Sequence, residues 1–142
     1  MRGMTPSLSA AEFFAAKLAY EIDPSDLVAA RASGDAPIVI DTRSASSWSQ
    51  GRIPGAVHIP NADLASRIVD VAPQKDAAIV VYCWGPGCNG STRGALILTT
   101  SGYTNVRELI GGYEYWTREG LATISDEGRA RGIVDPLTAP VT

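Results

Sequence analysis

The sequence contains few residues that build metal sites and has no excess of positive charge. Its 142 residues include two cysteines and one histidine, whereas a structural zinc site usually takes four Cys or His ligands. Lysine and arginine total 12 against 15 aspartate and glutamate residues, which gives a net charge of −3. A nucleic-acid protein that binds through a broad basic face is therefore not expected. We predict no metal, no cofactor and no nucleic-acid partner.

Long apolar runs are also missing. No run approaches the roughly 20 residues that a membrane-spanning helix needs. The apolar stretch at residues 10–20 is interrupted by Glu12 and Lys17 and lacks the basic head and cleavage site of a secretory signal. We therefore expect a cytoplasmic protein without a membrane partner, in which thiols stay reduced. On that basis we interpret the cysteines as reactive thiols of a functional site, although the two could also form one structural disulfide.

The hydrophobic pattern predicts a single α/β domain. Hydrophobic residues make up 45% of a chain of single-domain length. The continuous apolar runs at 38–40 and 79–83, which lack polar alternation, are typical of strands buried on both faces, as in a parallel sheet covered by helices. Weaker strands are predicted at 57–59 and 106–109. Helices are predicted at residues 9–19, 24–33, 62–69, 91–100 and 113–118.

The segment after the strand at 79–83 has the composition of an anion-binding loop. Ligands of such sheets bind beyond the carboxyl ends of the strands, which selects residues 41–43 and Cys83 onward. Three glycines between Cys83 and Ser91 let main-chain N–H groups turn inward, and the following helix adds a partial positive charge. These dipoles would stabilise a Cys83 thiolate and bind an anionic sulfur donor. Alternatively, Cys83 is a small core residue beside an ordinary turn.

Several motifs follow one another in the order found in a known family. These motifs are Asp41-Thr42-Arg43, the segment 51–60 (GRIPGAVHIP), the strand 80–83, Gly102-Tyr103, Val106, Gly111-Gly112-Tyr113 and Trp116. Through them the sequence resembles the rhodanese-like sulfurtransferase family, which implies a parallel sheet of about five strands with helices on both faces, and a cysteine that carries sulfane sulfur as a persulfide. The resemblance covers about residues 22–120, leaving an N-terminal helical extension at 1–21 and a tail at 121–142.

The loop departs from the family pattern, and this leaves two registers open. The usual loop has six residues and often ends in arginine, whereas the loop from Cys83 reaches eight residues and ends at Gly90. Arg52 also stands where a histidine is typical, and the acidic residue common after the Asp-x-Arg element is missing. In the other register, residues 88–93 form a six-residue segment from Cys88 to Arg93. We favour Cys83 because a strand delivers it to the floor of the loop.

The remaining candidate residues have roles that the resemblance or their position implies. Asp41 would hold the loop through main-chain N–H groups, and Arg43 and Arg93 are candidate cations for an anionic substrate. Trp84 would shape the pocket mouth, and Cys88 would lie on the rim, where it could resolve a persulfide or sulfenic acid into a Cys83–Cys88 disulfide. The other predicted substrate-binding residues are Gly85, Gly87, Asn89, Gly90 and Ser91.

Three functions are compatible with these residues. The first is a sulfurtransferase that moves sulfane sulfur from thiosulfate or a persulfide to a thiol or cyanide, with Cys83 as the nucleophile. The thiol acceptor would be a small molecule or a protein. The second is a non-catalytic regulatory or binding module of the same fold. The third is an oxyanion enzyme similar to arsenate reductases or phosphatases, for which the arginine at the loop's end is missing. The tail at 121–142 could wrap the domain or mediate a homodimer.

Overall fold

A five-stranded parallel sheet forms the centre of the molecule. The computed structural model describes residues 7–138, and all statements on structure concern that range; residues 1–6 and 139–142, which belong to the predicted extension and tail, lie outside it. The strand order is β1-β5-β4-β2-β3, and every neighbouring pair is parallel. The strands are β1 (Glu21–Ile22), β2 (Ile38–Asp41), β3 (Val57–His58), β4 (Ile79–Tyr82) and β5 (Val106–Leu109).

Helices connect these strands and cover both faces of the sheet, as the sequence predicts. The predicted capping box is present, since Ser9 Oγ accepts from Glu12 N–H and the Glu12 carboxylate accepts from Ser9 N–H. All five predicted helices form, with ends within two residues of the prediction. The helices are α1 (Ala10–Tyr20), α2 (Pro24–Ala32), α3 (Ala45–Gln50), α4 (Asn61–Val71), α5 (Gly90–Thr100) and α6 (Gly112–Arg118).

The central strands are buried on both faces, which explains their continuous apolar runs. Alternate residues of β4 point to opposite sides of the sheet. Ile79 and Val81 join a core with α4 and α5, whereas Val80 and Tyr82 join a second core with α2 and α6. The two cores therefore fix the register of β4 and deliver the residue after Tyr82 to the carboxyl edge of the sheet.

Part of the predicted tail is an ordered hairpin. Strands β6 (Ala122–Ser125) and β7 (Gly128–Arg131) pair antiparallel. Ile124 also exchanges two backbone hydrogen bonds with Arg52, with N–O distances of 2.8 and 2.9 Å. The first half of the tail therefore packs on its own domain. The sequence did not predict this hairpin, because all four residues of β7 are exposed and the strand lacks an apolar face.

None of the helices within residues 7–138 combines the length and the apolar composition that crossing a bilayer requires.

Candidate active site

The two cysteines lie together at the carboxyl edge of the sheet. Cys83 directly follows β4 and is 7% exposed, whereas Cys88, five residues later in the loop, is half-buried. Their sulfur atoms form a disulfide, with the Cα atoms 6.5 Å apart. Both cysteines line an open cleft with a volume of about 360 Å³. The structure therefore contains the oxidised pair, which the sequence left as a possibility beside the expected thiols.

Helix α6 supports the start of the loop. The N–H groups of Tyr113 and Glu114 donate to the carbonyls of Cys83 and Trp84, over 2.9 and 2.7 Å. This contact requires glycine at position 112, where φ is +58° and a Cβ would lie 2.5 Å from the Cys83 carbonyl oxygen. The glycine pair before Tyr113 thus allows the start of a helix to pack against the backbone of the cysteine loop.

The predicted ring of amides around Cys83 is not seen in the oxidised pair. Gly90 N–H donates to the sulfur of Cys88, at 3.4 Å, and Cys88 N–H donates to the carbonyl of Gly85, at 3.0 Å. Within the described part of the chain no amide donates to Cys83 Sγ, whose bonding partner in this form is the sulfur of Cys88. A ring of donors around a reduced Cys83 therefore stays a prediction for the thiol form.

Asp41 has partners different from those the sequence suggested. We expected its carboxylate to accept from main-chain N–H groups of the loop. Instead it accepts from Arg43, through the main chain and the guanidinium at 2.7–3.2 Å, and from the hydroxyl of Tyr82 at 2.6 Å. The reason is register, since Asp41 and Tyr82 are paired residues on neighbouring parallel strands. Asp41 thus acts on the loop only through other side chains.

Arg43 is the centre of this buried cluster. Its guanidinium carbon lies 4.4 and 4.6 Å from the ring centroids of Trp84 and Tyr113, two rings that meet edge to face at an angle of 74°. Burial opposes its positive charge, but the hydrogen bonds and the charge of Asp41 outweigh this, and the pKa of Arg43 is raised. Since the residue is 4% exposed and paired with Asp41, it positions Trp84 and does not face the cleft as the expected substrate cation.

Tyr82 completes the cluster beneath the loop. Burial and the nearby Asp41 carboxylate raise the pKa of Tyr82, so its hydroxyl stays protonated and donates to Asp41. The same oxygen accepts from Ile53 N–H at 3.1 Å. Trp84 rests on this cluster, with its indole N–H donating to Ser47 Oγ at 3.2 Å. Trp84, which directly follows Cys83, is therefore fixed by its contact with Arg43 and by its hydrogen bond to Ser47.

The other predicted binding residues divide between two surfaces. Gly85 and Ser91 line the cleft together with the cysteines, whereas Gly87 and Asn89 line a shallower groove on the outer side of the loop. Arg93 is exposed and donates from Nε to the Asn89 side chain at 3.1 Å. In the described chain, the cation that we expected at Arg93 therefore lies outside the cleft that contains Cys83. Gly90 lies beside the sulfur atoms of both cysteines.

A glutamate that the sequence analysis missed forms one wall of the cleft. Glu108, in β5, accepts hydrogen bonds from the hydroxyls of Ser91 and Thr92 at 3.0 and 2.8 Å. Glu21 also lines the cleft and is paired with Lys17 at 3.0 Å. Among the described lining residues there is no lysine or arginine, so the cleft is acidic. The rule that ligands bind at strand carboxyl ends would have found Glu108, since it lies near the end of a predicted strand.

A cysteine loop at the carboxyl edge of a five-stranded parallel sheet defines the class of protein, and comparison with known proteins agrees with it. The model of the Rhodanese-like domain family matches residues 23–119. The chain therefore belongs to the rhodanese-like domain family, as the motifs in its sequence predicted.

Relatives of this chain include proteins named as sulfurtransferases. A thiosulfate sulfurtransferase GlpE of Pseudomonas fluorescens is 34% identical over 104 residues, which are 73% of this chain and 90% of that protein. A sulfurtransferase of Allochromatium vinosum is 31% identical over 108 residues, or 76% and 97% of the two chains. The crystal structure of the BH2092 protein from Bacillus halodurans matches with a TM-score of 0.75 at 33% identity, covering 94% of this chain and 90% of that one. The family is thus one that contains sulfurtransferases.

Proposed function

We propose that this protein is a sulfurtransferase in which reduced Cys83 carries sulfane sulfur as a persulfide. The observation that supports this most is the position of Cys83 at the floor of an open cleft, directly after β4 and held from behind by helix α6. A nucleophile there has room on one side for a donor molecule and a fixed main chain on the other. Membership in a family that contains sulfurtransferases agrees with this chemistry.

The proposed reaction has two half-reactions. The Cys83 thiolate attacks the outer sulfur of a donor, the bond between that sulfur and the rest of the donor breaks, and sulfite or a thiol leaves with the electron pair. The loop N–H groups and the N-terminus of α5 stabilise the anionic persulfide in the reduced protein. A thiol or cyanide then attacks the outer sulfur, and Cys83 leaves as the thiolate.

The acidic cleft favours a thiol persulfide over thiosulfate as the donor. Thiosulfate carries two negative charges, whereas a small-molecule or protein persulfide brings at most one to its reacting end. Glu108 faces the same cleft as Cys83, and no cation among the described lining residues offsets its charge. Like charges in a partly desolvated cleft repel by an amount that falls with added salt. We therefore propose a persulfide as the better substrate, with thiosulfate used more slowly.

The experiment that tests this function uses the Cys88→Ser variant, in which Cys83 has no partner for a disulfide. After treatment of the reduced variant with a thiol persulfide, we expect a mass gain of about 32 Da, one sulfur atom, on the peptide that contains Cys83. Labelling by thiosulfate should be slower and should speed up at higher ionic strength. An unmodified Cys83 with both donors would contradict the proposal and favour the non-catalytic binding module instead.

Gly90 provides the space in which a sulfur atom can sit on Cys83. A Cβ at position 90 would lie 2.7 Å from Cys83 Sγ and 3.4 Å from Cys88 Sγ, whereas one at Gly87 would meet no atom within 4 Å. We expect Gly90→Ala to lower kcat/KM for sulfur transfer by about 10-fold or more, since small displacements of reacting groups have effects of that size. Gly87→Ala, in the same loop, is the matched control and should stay close to wild type. Equal effects of the two substitutions would show that space at position 90 is unimportant.

A further inference from the structure

We infer that this protein also reduces its own persulfide: Cys88 displaces the bound sulfur from Cys83 and releases it as sulfide, leaving the Cys83–Cys88 disulfide. This inference depends on the proposed persulfide at Cys83. It adds a second outcome to the same site, because the sulfur leaves as sulfide instead of passing to an acceptor. The reaction then ends in the oxidised pair that the structure contains.

The loop places Cys88 where it reaches Cys83. The two Cα atoms are 6.5 Å apart, within the range that a disulfide spans without movement of the backbone. The hydrogen bond from Cys88 N–H to the Gly85 carbonyl closes a turn that directs residue 88 back over the strand end. Because Gly90 has no side chain, the two sulfur atoms can lie close to its Cα, in the space that a Cβ would otherwise fill. An attack within the loop therefore needs no large rearrangement.

The two cysteines differ in exposure, as expected if Cys83 carries the sulfur and Cys88 displaces it. Cys83 is 7% exposed at the floor of the cleft, so its persulfide is shielded, whereas Cys88 is half-buried at the rim. Gly90 N–H already donates to Cys88 Sγ, and a donor of this kind also stabilises an attacking thiolate. Cys88 also lines the outer groove with Gly87 and Asn89, where an external reductant has access to it.

The step balances as a thiol–disulfide exchange. Cys88 sulfur attacks Cys83 Sγ, a Cys83–Cys88 bond forms, and the bond from Cys83 Sγ to the outer sulfur breaks. The outer sulfur takes that electron pair and the proton from the Cys88 thiol, and leaves as HS⁻. The sulfane sulfur is reduced and the two cysteines are oxidised by the same two electrons. A dithiol reductant then exchanges with the disulfide, restores both thiols and completes a cycle.

The acidic cleft favours the release of sulfide. The leaving HS⁻ is an anion, and the carboxylate of Glu108 forms one wall of the cleft from which it departs. Cyanide and thiolate acceptors are anions as well, so the same carboxylate slows their approach to the persulfide. Attack by Cys88 competes well under these conditions because it is intramolecular.

A single-turnover experiment without a reductant tests the inference. Wild type, reduced with dithiothreitol and freed of it under anaerobic conditions, is mixed with excess thiosulfate, a donor that has no sulfide to release by itself. We expect about one equivalent of sulfide per protein and a mass loss of about 2 Da, as two thiols become a disulfide. Addition of dithiothreitol should restart sulfide production. Wild type without donor is the control and should keep both thiols.

The variants separate this inference from the proposed function. Cys88→Ser should gain about 32 Da on Cys83 and release no sulfide, and Cys83→Ser should do neither. If wild type also keeps a stable gain of about 32 Da with a free Cys88 thiol, the inference is wrong and the sulfurtransferase proposal stands. If Cys88→Ser takes up no sulfur from either thiosulfate or a thiol persulfide, and wild type yields no sulfide, both are wrong.

Discussion

Replacing Cys83 by serine is expected to abolish sulfur transfer, with a fall in turnover of about 10³-fold or more, the size of effect seen when an enzyme loses its nucleophile. A serine hydroxyl at this position is neither ionised near neutral pH nor able to form a persulfide. The side chain is close in size and 7% exposed, so the fold should persist. The measurement is thiocyanate production from thiosulfate and cyanide.

Cys88→Ser is the matched variant, because it changes the other cysteine of the same loop and the same cleft. We expect it to keep a measurable part of the thiocyanate activity, since cyanide can take the sulfur from Cys83 directly. The reverse order of the two variants would mean that Cys88 is the nucleophile and that the six-residue register from Cys88 to Arg93 is the right one. Equal and complete loss in both would mean that neither cysteine suffices alone.

The parts of the fold that sequence predicted are those that depend on local pattern. Strands β2 and β4 each begin with three consecutive β-branched residues, and α1 begins with a Ser and a Glu at capping-box spacing. Helix α3 escaped prediction because its serine-rich sequence has low helix propensity; it forms where Ser44 accepts from Ser47 N–H at its start. Strand β6 escaped it because part of its pairing is with Arg52, more than seventy residues away.

In the candidate site, too, local pattern predicted the position of residues, whereas their long-range contacts were not predicted. The strand-to-loop junction located Cys83, and the spacing of glycines and Cys88 marked the loop that contains both sulfurs. The partners of Asp41 and Glu108 were not predictable, because they depend on long-range packing. Asp41 meets Tyr82 through the register of two parallel strands, and a shift of that register would have given its carboxylate other neighbours. Glu108 meets the hydroxyls of Ser91 and Thr92 because the first turn of α5 lies over β5.

Loss of the Asp41 carboxylate is expected to produce the largest change in stability. In Asp41→Ala, the charge of Arg43 stays buried against two aromatic rings, without its counter-ion and without four of its hydrogen bonds. Tyr82 also loses the acceptor for its hydroxyl. Removing one partner of a buried ion pair costs about 3–5 kcal/mol, so we expect the free energy of unfolding in urea to fall by about that amount. Asp41→Asn, which keeps the shape and one acceptor, should fall by less.

The decisive control removes both charges. In the double variant Asp41→Asn with Arg43→Met, the flexible thioether can pack against the rings of Trp84 and Tyr113, and no unpaired charge remains. The large cost of removing one partner of a buried ion pair comes from the uncompensated charge that is left. The double variant leaves no such charge and should be more stable than Asp41→Ala. Glu114→Gln, in an exposed pair with Arg118, should change the free energy of unfolding far less. If Asp41→Ala were no worse than Glu114→Gln, the cluster would not hold Trp84 and the loop in place, and their support would come from helix α6 alone.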